Sequence, residues 1–238
     1  MKNLTRTLLA LFLIVGVVGL TSCTCIKGEG EITTYPRNVG DFTKVVIEGS
    51  ADVMIEQSDN HELLISTHDN LHDYIETKVK GSTLIITTKD PVCYDRLDVS
   101  IKMKNLEGVK IEGSGNIKAD GDFETEVFKA KISGSGDIKI KNLEVIDLEC
   151  QIDGSGSIKL RGKAEEAEYE INGSGDILTK ELEANKVEIE INGSGNCLVW
   201  AKEDLRVEIN GSGDVKYKGN PQNINIQQNG SGEASKID

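Results

Sequence analysis

The sequence predicts an all-β protein built as a single-stranded, right-handed parallel β-helix with about 20 residues per coil. Three observations predict this fold. A motif close to Ile-x-Gly-Ser-Gly-x-(Ile/Val) recurs with its first glycine at Gly113, Gly134, Gly154, Gly173, Gly193, Gly211 and Gly230, at spacings of 21, 20, 19, 20, 18 and 19 residues. Within a period, apolar residues alternate with polar ones, as in Val187, Ile189 and Ile191 before one triplet and Cys197 and Val199 after it. That is the periodicity of strands and not of helices. Prolines stand only at Pro36, Pro91 and Pro221, so the chain from Val92 to Asn220 can donate every ladder hydrogen bond. The crossover rule sets the right hand.

Taken in chain order, residues 1–22 read as a secretory leader. Lys2 and Arg6 supply positive charge, Leu8 to Leu20 is apolar, and small polar residues follow. The apolar run is short for a bilayer span and no basic stop follows it, so cleavage is expected. Leu20-Thr21-Ser22-Cys23 resembles a bacterial lipobox, which assigns Cys23 as the lipidated first residue of the mature chain. Several acyl chains at about 0.8 kcal/mol per buried methylene make such an anchor effectively permanent. Residues 23–34 then read as a polar, lipidated tether, and 35–238 as the β-helix domain. Inside that domain Ile47-Glu48-Gly49-Ser50-Ala51-Asp52-Val53 is a degenerate motif copy 64 residues before Gly113, close to three further periods.

Aligning the periods yields ladders, one residue per coil at about 4.8 Å. The core ladder before the triplet is Ile111, Ile132, Ile152, Ile171, Ile191 and Ile209; the one after it is Ile117, Ile138, Ile158, Ile177, Cys197 and Val215. Stacked tight corners explain the glycines flanking each serine. Asn172, Asn192, Asn210 and Asn229 form a polar ladder able to bond amide to amide. In the last coil Gln228 replaces the isoleucine and Ala234 the next apolar residue, a polar end cap.

The repeated Ile-x-Gly-Ser-Gly-Asp pattern, the tail from Gly211 to Pro221 and the opening Phe42-Thr43-Lys44-Val45-Val46-Ile47-Glu48-Gly49 resemble the head GIN domain family, autotransporter adhesin-like bacterial lipoproteins. The resemblance runs from about Pro36 to the C-terminus. It implies a β-helical fold and a surface or periplasmic location in the cell envelope, and it brings no catalytic residues.

The chain carries 27 Lys+Arg against 40 Asp+Glu, a net charge of −13 that drops to −15 without the leader. Such an acidic chain is a poor ligand for phosphate backbones, so no nucleic-acid partner is expected. The five cysteines do not read as a disulfide framework: Cys23 goes to lipid, Cys25 sits in the tether, and Cys150 and Cys197 occupy apolar slots of the repeat. No Cys-x-x-Cys occurs, so a zinc or redox site lacks its usual spacing.

Competing motif readings carry less. No helix pattern follows any triplet, so Gly-Ser-Gly lacks the helix N-terminus of a phosphate site. Asn116, Asp137, Ser157, Asp176, Asn196 and Asp214 alternate acids with neutral residues, which separates like charges by about 9.6 Å, too far to share one calcium. His68 and His72, with Asp69 and Asp73 beside them, form a candidate metal pair if residues 70–75 make a helical turn, although solvated residues are the simpler account. Neither a metal nor any other cofactor is expected.

The outward register supplies the one candidate surface. Lys118, Lys139, Lys159, Leu178, Leu198 and Lys216 follow the triplet in one row, and Asp120, Lys141, Arg161, Lys180, Trp200 and Lys218 in the next. Before the triplet, Glu149, Glu168, Glu170, Glu188, Glu190 and Glu208 make an acidic face. Lys139, Lys159, Leu178, Leu198, Trp200 and Lys216 are the candidate contact surface, since a lone outward Trp among lysines can stack on a sugar or anchor a partner. Solubility is the plainer account of the same charges.

The expectation is a lipid-anchored envelope protein, at the outer membrane, acting as a non-catalytic adhesin-like binding or structural module. Its partners are the membrane through the N-terminal lipid and a glycan or envelope protein, with a homo-oligomer also open. The alternatives are a β-helical carbohydrate-active enzyme, which needs acids converging on a groove, and an envelope scaffold, which needs self-association. Replacing Cys23 by Ala should move the protein from the membrane fraction to the soluble fraction; unchanged membrane retention on fractionation would refute the lipobox assignment.

Overall fold

A computed structural model describes residues 25–237 of the chain, so the leader at 1–22 and Cys23 lie outside the described residues. Among the described residues no helix is long and apolar enough to cross a membrane. The N-terminal part holds β1 (Ile26–Lys27), β2 (Ile32–Pro36), β3 (Lys44–Gly49), β4 (Asp52–Gln57), β5 (Glu62–His68), β6 (Ile75–Lys80), β7 (Thr83–Thr88), β8 (Val92–Cys93) and β9 (Asp98–Met103). The repeat holds β10 (Gly108–Gly113), β11 (Asn116–Gly134), β12 (Asp137–Gly154), β13 (Ser157–Gly173), β14 (Asp176–Gly193) and β15 (Asn196–Gly211). Short strands β16 (Val215–Lys218), β17 (Asn223–Gln228) and β18 (Ala234–Lys236) finish the stack.

Each coil of the repeat is one long, bent strand, and successive coils pair in parallel as the period predicts. In the coil from Asp137 to Gly154, burial alternates through Ile138 and Ile140, through Leu143 and Val145, and through Leu148, Cys150 and Ile152. Two adjacent exposed residues break the alternation at Lys141-Asn142 and again at Ile146-Asp147. Those breaks and the Gly-Ser-Gly corner bend the coil into three sides around one apolar core.

The predicted core ladders stand in register: Ile152 pairs with Ile171 and Ile171 with Ile191, all buried. Ile117, Ile138, Ile158, Ile177, Cys197 and Val215 form the second buried column. Full burial contributes about 1.5–3 kcal/mol for each isoleucine. Burial also pushes the thiols of Cys150 and Cys197 well above their ordinary pKa, so both remain protonated and pack as small apolar groups.

The first glycine of each Gly-Ser-Gly triplet leaves no room for a Cβ. At Gly193 φ is +147°, and a Cβ would stand 2.2 Å from the Gly173 carbonyl oxygen one coil below. Within the corner, the Ser194 N–H donates to that same carbonyl at 2.8 Å, and the pattern repeats from coil to coil.

Three expectations need correction. The degenerate copy at Gly49 is not three periods from Gly113, because β3 pairs directly with β10 and Gly49 lies beside Gly113. The intervening chain runs outward instead: β7 stacks on the far side of β3 and β9 on the far side of β4, and antiparallel β6, β5 and β2 close that end. The stacking order of the first coils therefore differs from their order in the chain. The tether expected over 23–34 also shortens, since β1 pairs with β8 and β2 with β5. Finally, Cys25 is joined to Cys93 by a disulfide, contrary to the expectation of no disulfide framework. It closes a loop across 68 residues, a separation for which the unfolded chain loses about 4 kcal/mol of conformational freedom.

At the other end Gln228 pairs with Ile209 and Ala234 with Val215, as the alignment predicts. Ile171→Ala, with apolar neighbours on both sides, should lower unfolding free energy by about 2–5 kcal/mol in a denaturant titration. Gln228→Ala, on the exposed strand β17 of the terminal coil, should cost much less; equal losses would contradict this register.

Candidate functional site

The side of the coil that follows each triplet presents its outward residues as columns parallel to the solenoid axis. One column runs Ser100, Met54, Lys118, Lys139, Lys159, Leu178, Leu198, Lys216 and Ser235, each residue paired in register with the next. The sequence-predicted contact residues Lys139, Lys159, Leu178, Leu198 and Lys216 are thus direct neighbours on one face. Leu178, Leu198 and Trp200 are half-buried.

The second outward row departs from the expected alignment. Arg161 pairs with Glu181 and Trp200 with Glu183, because an irregularity in β14 carries Lys180 out of the row. Charge on this row is largely cancelled, since Lys141 bonds Asp120 and the Arg161 guanidinium lies 3.1 Å from Glu181. Trp200 is held in place: the Lys218 ammonium lies 3.7 Å from the ring centroid, and a Cβ at Gly219 would come within 3.2 Å of Trp200 Cδ1. Glycine at 219, with φ +104°, lets the next coil pass close beside the indole.

Ion pairing separates this face from most of the repeat, Lys180 and Lys218 being other lysines there that, among the described residues, have no carboxylate within 4.0 Å. Lys129, Lys131, Lys163, Lys186 and Lys202 on the other two sides of the coil each lie within 4.0 Å of a carboxylate. Among the described residues, no carboxylate lies within 4.0 Å of Lys118, Lys139, Lys159 or Lys216.

The column beside the corner has a structural role that alternation alone did not disclose. Asp137 accepts from the Ser157 backbone N–H and hydroxyl, Asp176 from the N–H and amide of Asn196, and Asn196 from the N–H of Asp214. A side-chain oxygen on each of these coils thus satisfies the first backbone donor after the next coil's triplet. The signal was present in the sequence as a strict choice of Asn, Asp or Ser at that position.

The acidic face is likewise built from ladders. Asn192 donates to Asn172 at 3.1 Å, Asn210 to Asn192 at 3.0 Å and Asn229 to Asn210 at 3.0 Å, as expected. Asn172, Asn192 and Asn210 also donate to Glu170, Glu190 and Glu208, each two residues upstream. Beside them an open groove of about 810 Å³ is lined by Asp147, Glu149, Glu166, Glu168 and Glu188 among others. Cations hold three of these acids: Lys129 pairs with Glu149, Lys186 with Glu166, and Arg206 with Glu188.

His68 and His72 serve the N-terminal closure. The expected helical turn is a single 3-10 turn at Asp69–Leu71, with the two histidines on either side of it. The His68 ring lies 3.1 Å from the Gly30 carbonyl oxygen. His72, 7% exposed, contacts the Thr33 hydroxyl at 3.0 Å and packs edge-on against Tyr35. Asp69 accepts from Thr33 and Tyr35, and Arg37 donates to the His72 carbonyl at 2.5 Å. Both imidazoles therefore hold β2 and the segment before it, and among the described residues no group of three His, Cys, Asp or Glu side chains is placed to hold a metal. Sequence reasoning missed Cys25–Cys93; the available signal was that both cysteines lie outside the Gly-Ser-Gly repeat and so have no place in its apolar ladders.

Comparison with known proteins adds a family. Residues 41–221 match the family described as "Putative auto-transporter adhesin, head GIN domain". A crystal structure described as a "putative adhesin" from Bacteroides fragilis NCTC 9343 superimposes with a TM-score of 0.84 at 27% identity, covering 89% of this chain and 100% of that one. One described as a "Putative lipid binding protein" from Parabacteroides distasonis ATCC 8503 gives 0.72 at 27% identity, covering 89% and 100%. Protein YjdM of Escherichia coli strain K12 is 30% identical over 83 residues, which is 31% of this chain and 75% of YjdM.

Burial lowers the pKa of His72, with Arg37 adding to the effect and Thr33 and Asp69 opposing it. The folded state thus favours the neutral ring. Its contribution to stability is complete above the ordinary histidine value near 6.5 and is lost as pH falls below it. Thermal melting from about pH 8 down to about pH 5 should show a falling midpoint that is flattened in His72→Gln; an unchanged slope would show that His72 does not set it.

Proposed function

The chain belongs to the head GIN domain family, and from that premise we propose that it is a non-catalytic, adhesin-like binding module of the bacterial cell envelope, anchored to the outer membrane through a lipid on Cys23. The face carrying Lys139, Lys159, Leu178, Leu198, Trp200 and Lys216 is its contact surface. A single observation supports this reading above the others: in an acidic chain, Lys118, Lys139, Lys159 and Lys216, none with a carboxylate within 4.0 Å among the described residues, share one column with the half-buried Leu178 and Leu198, and Lys218, likewise without one, lies over Trp200 beside it. Charges meant only for solubility gain from being interspersed with opposite ones, as they are on the other sides of the coil.

The Cys25–Cys93 disulfide supports an exported location, because such bonds persist outside the reducing cytoplasm. The crystal structures described as adhesins support an adhesive role. Catalysis on the acidic groove is disfavoured by the cations that hold Glu149, Glu166 and Glu188.

Pull-downs from cell-envelope extract and a glycan array, run with wild type and Trp200→Ala in parallel, test the reading. Loss of captured partners in the variant, with an unchanged melting curve, is the expected result. Indistinguishable profiles would reduce this face to solvated surface, and release of product from a polysaccharide would replace binding with hydrolysis or elimination.

A further inference from the structure

Resting on that contact-face reading, we infer that the ligand is a linear acidic polysaccharide, lying along the solenoid axis with its carboxylates against Lys118, Lys139 and Lys159 and its sugar rings over Leu178, Leu198 and Trp200. Three features of the face lead to this class of ligand.

The first is uncompensated charge. Stacked lysines directly opposite one another on neighbouring strands repel and destabilise the pairing. The chain has 40 acids with which to relieve that repulsion and does so for Lys129, Lys131, Lys141, Lys186 and Lys202, yet not for this column. An anion from outside the chain completes the arrangement.

The second is geometry. Parallel pairing places one ammonium per coil, about 4.8 Å apart along a straight line. A polymer bearing carboxylates at regular intervals matches such a line, whereas a single small anion engages only part of it.

The third is width. Two residues toward the corner, on the same outward face, stand Asp52, Asp137, Asp176 and Asp214. On the other flank Asp120 neutralises Lys141 and Glu181 neutralises Arg161, while farther along Lys218 lies over the Trp200 ring. Beside Lys118, Lys139 and Lys159 the positive strip is one column wide. A broad anionic plane, such as a membrane of acidic lipid, would press against the aspartates well within the Debye length of about 8–10 Å. A narrow chain does not meet them. Single-stranded nucleic acid is also narrow, but it binds through an aromatic platform for successive bases, and this face offers Trp200 alone. Sugar rings need only an apolar surface with an aromatic edge, which the two leucines and the half-buried indole supply.

Calorimetric titration of the folded chain with oligogalacturonate and oligoalginate of graded length provides the test. Affinity should rise with length until the oligomer spans the column, and methyl esterification of the uronates should abolish binding. Lys139→Glu with Lys159→Glu should weaken binding by about tenfold or more at low salt, with the melting curve unchanged. Absence of binding to both uronates, equal binding of the methyl ester, or indifference to the double variant would overturn the inference. Capture of phosphatidylglycerol vesicles that depends on the same lysines would overturn it in favour of a membrane surface. If envelope pull-down still depends on Trp200 while both uronates fail, the ligand class falls and the contact-face reading stands.

Discussion

The structure depends on close approach of backbone to backbone at the Gly-Ser-Gly corner. A Cβ on the first glycine of a triplet would stand 2.1–2.2 Å from the carbonyl oxygen of the coil below at Gly134, Gly154, Gly193 and Gly211. Without a Cβ the corners nest, the serine N–H reaches that carbonyl, and every residue on either side is brought opposite its counterpart one coil away. The register of the isoleucine core, the asparagine ladder and the outward columns all follow from this contact. A larger residue at one corner would shift two coils relative to each other and misalign each of those ladders together.

Exact stacking has a cost, because any charge that recurs in the repeat is set beside its own copy. The chain manages this in two ways. On the acidic sides, cations and amides are interleaved: Lys129 meets Glu149, Arg206 meets Glu188, and the asparagines donate both along the ladder and to the glutamates beside them. Next to the corner, neutral donors alternate with acids, so that Asn116 donates to Asp52 and Asn196 to Asp176. Lys118, Lys139 and Lys159 are stacked neighbours without such relief, which is the feature on which the proposed contact face rests.

The N-terminal end is closed by different means. Antiparallel β2, β5 and β6 cover the first coils, and the Cys25–Cys93 bridge with the His72, Asp69 and Arg37 contacts holds the leading segment against them. The described chain is thus fixed to this closed end of the solenoid from Cys25 onward.

The sequence by itself determined the solenoid, its period, both isoleucine ladders, the asparagine ladder and the first outward column. These are properties of one period repeated, and a parallel stack turns equal spacing along the chain into adjacency in space. Only the tertiary structure decided what breaks the period. The adjacency of Gly49 and Gly113 across 64 residues, the displacement of Lys180 by the irregularity in β14, and the Cys25–Cys93 bridge each join segments that no fixed spacing relates. The same holds for the lysines without partners. Alternation shows that a side chain points outward, but whether a carboxylate reaches it depends on where the corners and bulges place the neighbouring coils, and that is set in three dimensions.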